Sequence, residues 1–238
     1  MQDDIPKNPK PQKAMRNPEV DNTKSASVRE LLANSELRKL VTDCEELIGR
    51  VATTNPDEAL LCNLMLISGL RLSEALSLKP HESITPAGLL VQQGTKDGRA
   101  RLIPYGKLPS TVHRQRQIYS RCLQHSEKAA DNTMGYKGLS KDQSYRRFER
   151  VLATHRISTS SMPITYLDLR RAYARLMFED YMGYMQLAKS QNDFESMRVN
   201  SLEMEAAIKA VTQSLGYSAP AITLVWVKWL QGSGGLKF

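Results

Sequence analysis

The sequence has few cysteines and lacks a long hydrophobic run, and both absences exclude classes of protein. Its three cysteines, Cys44, Cys62 and Cys122, are far apart and odd in number. They are expected to form neither a disulfide framework nor a zinc site, which favours a reducing interior. No stretch approaches about 18 uncharged apolar residues, so no membrane span is expected. The first residues lack the basic and apolar regions of a signal peptide.

Two kinds of chemical site are also missing from the sequence. The histidines show no i, i+4 pairing and no carboxylate at ligand spacing, so no metal site is expected; they are His81, His113, His125 and His155. No glycine-rich phosphate loop is present, so nucleotide hydrolysis has no support. The sequence therefore indicates no cofactor.

The charge balance of the chain is basic. The 238 residues include 33 Lys and Arg against 25 Asp and Glu, a formal net charge of +8. Hydrophobic residues make up 41% and charged residues 24%, as in ordinary globular proteins. A basic balance favours a polyanionic partner, but alone it does not separate nucleic acid from an anionic membrane surface.

Composition divides the chain into a tail, a domain and a short end segment. Residues 1–26 hold four prolines, five basic and four acidic residues, and almost nothing apolar. Such a segment buries too little surface to repay its ordering entropy, so we expect a disordered tail. Ser27 and Glu30 have the spacing of a helix capping box, so the domain is expected to cover residues 27–231. Residues 232–238 are glycine-rich and are expected to form a flexible end.

Apolar spacing predicts a mainly helical domain with one small antiparallel hairpin. The strand-like runs are residues 88–92 and 101–105, separated by a Gly-Thr-Lys-Asp-Gly turn. A basic helical stretch follows from Pro109, and Gly216 is expected to end the last predicted helix. The helices are predicted over residues 37–51, 56–68, 72–78, 109 onward, around 145–148, 167–187 and 202–215.

One turn carries a candidate phosphate ligand. Arg71 projects from the turn after Gly69, where it binds a phosphate or, alternatively, pairs with Glu74 on its own helix. The stretch reads Gly69-Leu70-Arg71-x-Ser73-Glu74-x-x-x-Leu78. It resembles the first signature box of the tyrosine recombinases, the superfamily of phage integrases and telomere resolvases. The resemblance implies that Arg71 binds the scissile phosphate and that Glu74 is structural.

Three further features of the superfamily follow in the same order. Lys96 lies in the hairpin turn, where the resemblance implies a catalytic lysine. The segment Leu167-Asp168-Leu169-Arg170-Arg171 resembles the box that supplies the second phosphate-binding arginine, here Arg170. The family then has a Leu-Gly-His turn with a tyrosine nucleophile nine residues after the histidine. Here Tyr217 holds the histidine position, and Trp226 follows nine residues later.

The departures from the family pattern predict a degenerate active site. Leu167 and Tyr217 stand where the resemblance implies histidines, and Trp226 stands at the nucleophile position. An indole N–H cannot attack phosphorus, so no catalytic residue is expected. Tyr181, Tyr184 or Tyr217 acting as a displaced nucleophile is the alternative.

The resemblance implies that Arg71, Lys96 and Arg170 bind DNA phosphates. Further DNA contacts are predicted for basic residues beside the hairpin, next to Arg170 and along the helix around residues 145–148, for which a solvated helix face is the alternative. These residues are Arg99, Arg101, Arg146, Arg147, Arg150 and Arg171, with His155 on the helix of Arg146.

These features predict a mainly α domain with a small antiparallel sheet, similar to the catalytic domain of tyrosine recombinases. The predicted function is double-stranded DNA binding without strand cleavage, in transcription, replication or segregation of a mobile element. The alternatives are an active recombinase or telomere resolvase with an atypical nucleophile, and a protein-interaction domain that has lost DNA binding. The expected location is intracellular, in cytoplasm or nucleoid, with no membrane. A homo-oligomer or partner protein is expected to complete the DNA clamp.

Overall fold

The structure is a computed structural model that describes residues 35–95, 98–128, 131–156, 163–190 and 201–217. The predicted disordered tail, the flexible end, Lys96 and Trp226 lie outside the described residues. Among the described helices, none has an apolar run long enough to cross a membrane.

Two helices open the described part of the chain. Helix α1 covers Ser35–Ala52 and α2 covers Pro56–Ser68. Pro56 begins α2 because its missing N–H and fixed φ suit the first helical position. Gly69 ends it in the left-handed region at φ 59° and donates its N–H to the Met65 carbonyl. Both helices were predicted from apolar spacing, and the structure confirms them.

A three-stranded antiparallel sheet follows two short helices, α3 at Leu72–Leu76 and α4 at Pro80–Ser83. The strands lie in the order β1-β2-β3, with Leu89 opposite Ile103. The predicted hairpin is confirmed as β2 and β3. The strands are β1 at Ile84–Thr85, β2 at Gly88–Val91 and β3 at Arg101–Pro104.

Two details of this region differ from the predictions. Helix α3 ends at Leu76 and not at residue 78, because Lys79 is extended before Pro80, as a residue preceding proline tends to be. The strand β1 was not predicted, because two residues are too few to show alternation.

Four longer helices complete the described chain. They are α5 at Pro109–Ser126, α6 at Lys141–Thr154, α7 at Tyr166–Ser190 and α8 at Ser201–Ser214. Helix α2 is central: it packs against α1, α5 and α7 and is buried on most sides. Helix α8 packs against α7 and β3. The end of α2, the start of α7, the end of α8 and the start of β3 therefore meet at one place.

Candidate nucleic-acid interface

A buried carboxylate, Glu74 in α3, lies at the centre of this meeting point. The Arg101 guanidinium from β3 binds it in bidentate fashion, with Nη1–Oε1 at 2.6 Å and Nη2–Oε2 at 2.7 Å. Arg71 donates to it twice, from its backbone N–H at 2.7 Å and from Nη1 at 3.0 Å. Arg170 Nη1 lies 4.0 Å from Oε2. We call Arg71, Arg101 and Arg170 around Glu74 the arginine cluster.

The cluster carries more positive than negative charge. Three guanidiniums surround one carboxylate, so two positive charges remain unbalanced. Burial by itself raises the pKa of Glu74, but the hydrogen bonds and charge of Arg101, the Arg71 amide and the charge of Arg170 together hold that pKa below its ordinary value. Glu74 therefore stays ionised and fixes the positions of the arginines.

Arg71 is the arginine of the cluster that solvent reaches most. Its side chain is 27% exposed, against 10% for Arg101 and 2% for Arg170. Within the described residues, its Nη1 bonds Glu74 while its Nε and Nη2 make no hydrogen bond. A guanidinium with free N–H groups, held in place by a buried carboxylate, suits a phosphate oxygen.

Arg170, near the start of α7, is the buried member of the arginine cluster. Its Nη1 donates to the Gly69 carbonyl and its Nη2 to the Leu215 carbonyl, which joins the end of α2 to the end of α8. Burial lowers the pKa of Arg170 and the charge of Arg71 adds to this, whereas contact with Tyr217 and Glu74 opposes it. Arg170 therefore contributes charge and holds three elements together.

Tyr217 covers two of the arginines. Its ring centroid lies 5.8 Å from Cζ of Arg71 and 5.2 Å from Cζ of Arg170. Gly216, at φ 71°, makes this turn fit, because a Cβ there would lie 2.9 Å from Cδ of Arg101. Arg101 Nε also bonds the Ser214 carbonyl at 3.0 Å, so the turn that carries Tyr217 is anchored on the cluster.

The hairpin turn is held against α3. Ser73 Oγ donates to the Gly94 carbonyl at 2.9 Å. A Cβ on Gly94, which has φ 69°, would lie 2.4 Å from the Ser73 carbonyl oxygen. The hairpin turn therefore begins in contact with Ser73, the residue before Glu74. Lys96 itself lies outside the described residues.

Other predicted site residues lie in varied surroundings. Leu167 is exposed one turn before Arg170, and Arg171 pairs with Asp168 at 2.8 Å. Arg147 pairs with buried Glu58 at 2.8 Å and stacks on Tyr136 at 4.3 Å. The exposed residues of the predicted set are Arg99, Arg146, Arg147 and Arg150.

Two predicted residues have structural roles that sequence reasoning missed. Arg101 was predicted to contact DNA, but its guanidinium is occupied by Glu74 and Ser214. His155, on the predicted DNA-facing helix, bridges the Thr54 hydroxyl and the Val151 carbonyl, each at 2.8 Å. No local signal could show these pairings, because Arg101 and Glu74 are 27 residues apart.

Of the alternative nucleophiles, Tyr217 is the one beside the cluster. Tyr181 lies under Lys107 Nζ at 5.7 Å and Tyr184 is exposed. Both lie on α7 three or more turns beyond Arg170, about 16 Å or more along the axis. No group of three or more His, Cys, Asp or Glu able to hold a metal occurs among the described residues.

Comparison with known proteins shows a similar fold. No protein-family model matches the sequence, and no curated protein matches it. The structure is similar to a crystal structure of a lambda integrase dimer bound to a COC′ core site, with a TM-score of 0.51 and 16% sequence identity. The match covers 83% of this chain and 60% of that chain, so this chain spans less than two thirds of its length. The fold, mostly helical with a small antiparallel sheet, is similar to that of the integrase catalytic domain.

Proposed function

We propose that this protein binds double-stranded DNA through the arginine cluster and does not cleave the strands. The observation that carries the proposal is the excess positive charge around Glu74, with Arg71 presenting free N–H groups to solvent. Phosphate contacts by guanidinium groups position a protein on DNA without reading bases. The similar lambda integrase, which is bound to a core site, supports DNA as the polyanion.

The lack of cleavage follows from the side chains at the positions that the resemblance makes catalytic. Trp226 has no hydroxyl with which to attack phosphorus, and Leu167 has no group that transfers a proton. A protein that keeps the phosphate ligands but lacks these groups fits a role in transcription, replication or segregation of a mobile element. It would act inside the cell, with a second copy or a partner protein completing the clamp.

The salt dependence of duplex binding tests the role of Arg71. Replacing Arg71 with Ala should weaken binding to all sequences alike, by about threefold to tenfold, and reduce the log–log salt slope by about 0.9. Arg71→Lys, the matched control, keeps the positive charge and should keep most of the salt slope. It loses the bidentate hydrogen bonding that a guanidinium offers a phosphate. Unfolding curves for each variant test whether the fold is intact. Equal affinity of the wild type and Arg71→Ala would favour a protein-interaction domain.

Strand cleavage by Tyr217 is the second candidate function. Its support is the position of the Tyr217 ring next to both Arg71 and Arg170. This candidate requires a covalent protein–DNA adduct that survives denaturation and disappears in Tyr217→Phe. We expect no adduct with the wild type and unchanged duplex affinity in Tyr217→Phe.

A further inference from the structure

The exposed side of α5 carries positive charge and no carboxylate. The helix contains three arginines, two histidines and no Asp or Glu. Polar exposed side chains recur along it at i, i+3, i+4, i+7, i+8 and i+11, a spacing that places them on one side. They are His113, Arg116, Gln117, Ser120, Arg121 and Gln124, which we call the α5 face. The face is about 16 Å long at 1.5 Å per residue.

The opposite side of α5 holds the helix firmly on α2. Ile118, Tyr119 and Cys122 are buried, and the Tyr119 hydroxyl lies 3.1 Å from Ser68 Oγ. Gln115 donates from Nε2 to the Ile67 carbonyl at 3.2 Å. The α5 face therefore points away from α2 on a helix that is fixed along its length.

The described acidic residues that contact α5 pair with basic side chains outside the face. Glu45 pairs with Arg114 at 2.7 Å, and Asp57 lies 3.3 Å from His125. Arg116 stacks on the Tyr105 ring at 5.6 Å, a contact that positions its guanidinium without neutralising it. Because arginine stays protonated, the α5 face keeps its charge at every physiological pH.

The chemistry of the α5 face distinguishes between classes of polyanion. Helices that bind membrane surfaces bury an apolar side, and the α5 face has no apolar side chain. The centres of protein–protein interfaces are enriched in aromatic residues, which the face also lacks. Guanidinium, amide and hydroxyl groups are the side-chain donors that contact nucleic-acid phosphates and sugars.

We propose that the α5 face binds the phosphodiester backbone of a nucleic acid, as a second surface in addition to the arginine cluster. The proposal goes beyond the proposed function, since no residue of the cluster belongs to α5. Arg116 and Arg121, about 1.4 helical turns apart, would supply the charge, and Gln117, Ser120 and Gln124 would supply neutral donors.

Binding of a short labelled duplex of random sequence, measured over a range of salt concentrations, tests the proposal. The double variant Arg116→Gln with Arg121→Gln should reduce the log–log salt slope by about 1.8, since each phosphate contact contributes about 0.9. The corresponding double Lys variant should keep the slope. Arg114→Gln, which removes an arginine already paired with Glu45 on the same helix, should change the slope by less than about 0.5.

The same measurements separate this proposal from the proposed function. The slope change of the double Gln variant should persist when Arg71→Ala is also present. An effect of the α5 variants without any effect of Arg71→Ala would support the α5 face and overturn the role of the cluster. An unchanged slope in the double Gln variant, or no duplex binding at low salt, would overturn the α5 proposal. If the double Gln variant lost binding to polyglutamate but kept its binding to DNA, the α5 proposal would be overturned in favour of an acidic protein partner.

Discussion

Glu74 determines where the arginines of the cluster lie, because it is the carboxylate that Arg71 and Arg101 both bind. It is fully buried, and two guanidiniums and a backbone N–H donate to its two oxygens. Without this carboxylate, three neighbouring guanidiniums would repel one another in a poorly solvated place. Glu74, which is itself fully buried, therefore acts on the site through the arginines that it positions.

Replacing Glu74 with Gln should lower the free energy of unfolding by about 3 kcal/mol, since it leaves buried arginine charge uncompensated. Urea denaturation at neutral pH measures this change. Glu82→Gln is the matched control, because Glu82 also pairs at i, i+3, with Lys79, but on the exposed surface. The control should lose no more than about 1 kcal/mol. Equal losses in the two variants would show that Glu74 does not hold the cluster.

Acid should remove the contribution of Glu74 to stability. The pKa of Glu74 is lowered in the folded state, so the folded protein binds this proton less readily than the unfolded chain, whose carboxyl titrates near pH 4.3. The stabilisation is fully present above about pH 4.3 and is lost as the pH falls through the lower folded value. The difference in unfolding free energy between the wild type and Glu74→Gln should therefore shrink below about pH 4. If the difference between the wild type and Glu74→Gln stayed constant to about one pH unit below that point, the lowered pKa of Glu74 would be contradicted.

Gly69 should tolerate no side chain, for two separate reasons. Its φ of 59° strains an alanine, and a Cβ would lie 2.2 Å from the buried ring of Tyr173. Gly69→Ala should therefore cost about 3 kcal/mol, of which backbone strain supplies about 1. Gly98 has a similar φ of 66°, and no atom of the described residues would lie near a Cβ there, so Gly98→Ala should cost only about 1 kcal/mol. Thermal unfolding compares the two variants, and equal shifts would contradict the predicted clash.

Contacts between elements, rather than within them, assemble the site. Arg170 joins α7 to the ends of α2 and α8, and Arg101 joins β3 to α3 and α8. The positions of the helices, though not every boundary, were predictable because apolar spacing, proline and glycine act within a few residues. The pairings were not, because they depend on which elements become neighbours. The one exception is the pair of Arg71 with Glu74, which are three residues apart and were recognised as an alternative.

The start of α5 depends on a buried carboxylate in α7. Asp180 accepts the backbone N–H groups of Lys107 at 2.6 Å and Leu108 at 3.0 Å. Asp180→Asn places an amide NH₂ or a weaker acceptor there and should cost about 2 kcal/mol. Asp142→Asn, in the exposed first turn of α6, should cost about 0.5 kcal/mol. Hydrogen exchange should speed up at Lys107 and Leu108 in the first variant alone, and protection that stays unchanged would contradict this role.

At the scale of the whole molecule, the proposal that the protein binds DNA is supported by its charge distribution and its fold. The basic balance alone left nucleic acid and membrane open, and the helical pattern alone fits many folds. The ordered motifs around Arg71 and Arg170 predicted an integrase-like fold, which the structure confirms. Whether Trp226 abolishes cleavage stays a prediction, because it concerns a reaction and not an arrangement of helices.

Recovery of DNA from a random duplex library at two salt concentrations, followed by a denaturing gel, tests the central claim most directly. We expect DNA to be retained at low salt, to be lost steeply at higher salt, and to run free of protein after denaturation. A protein-linked band would show that a nucleophile is present and that the non-cleaving assignment is wrong. No retention at either salt concentration would contradict DNA binding itself.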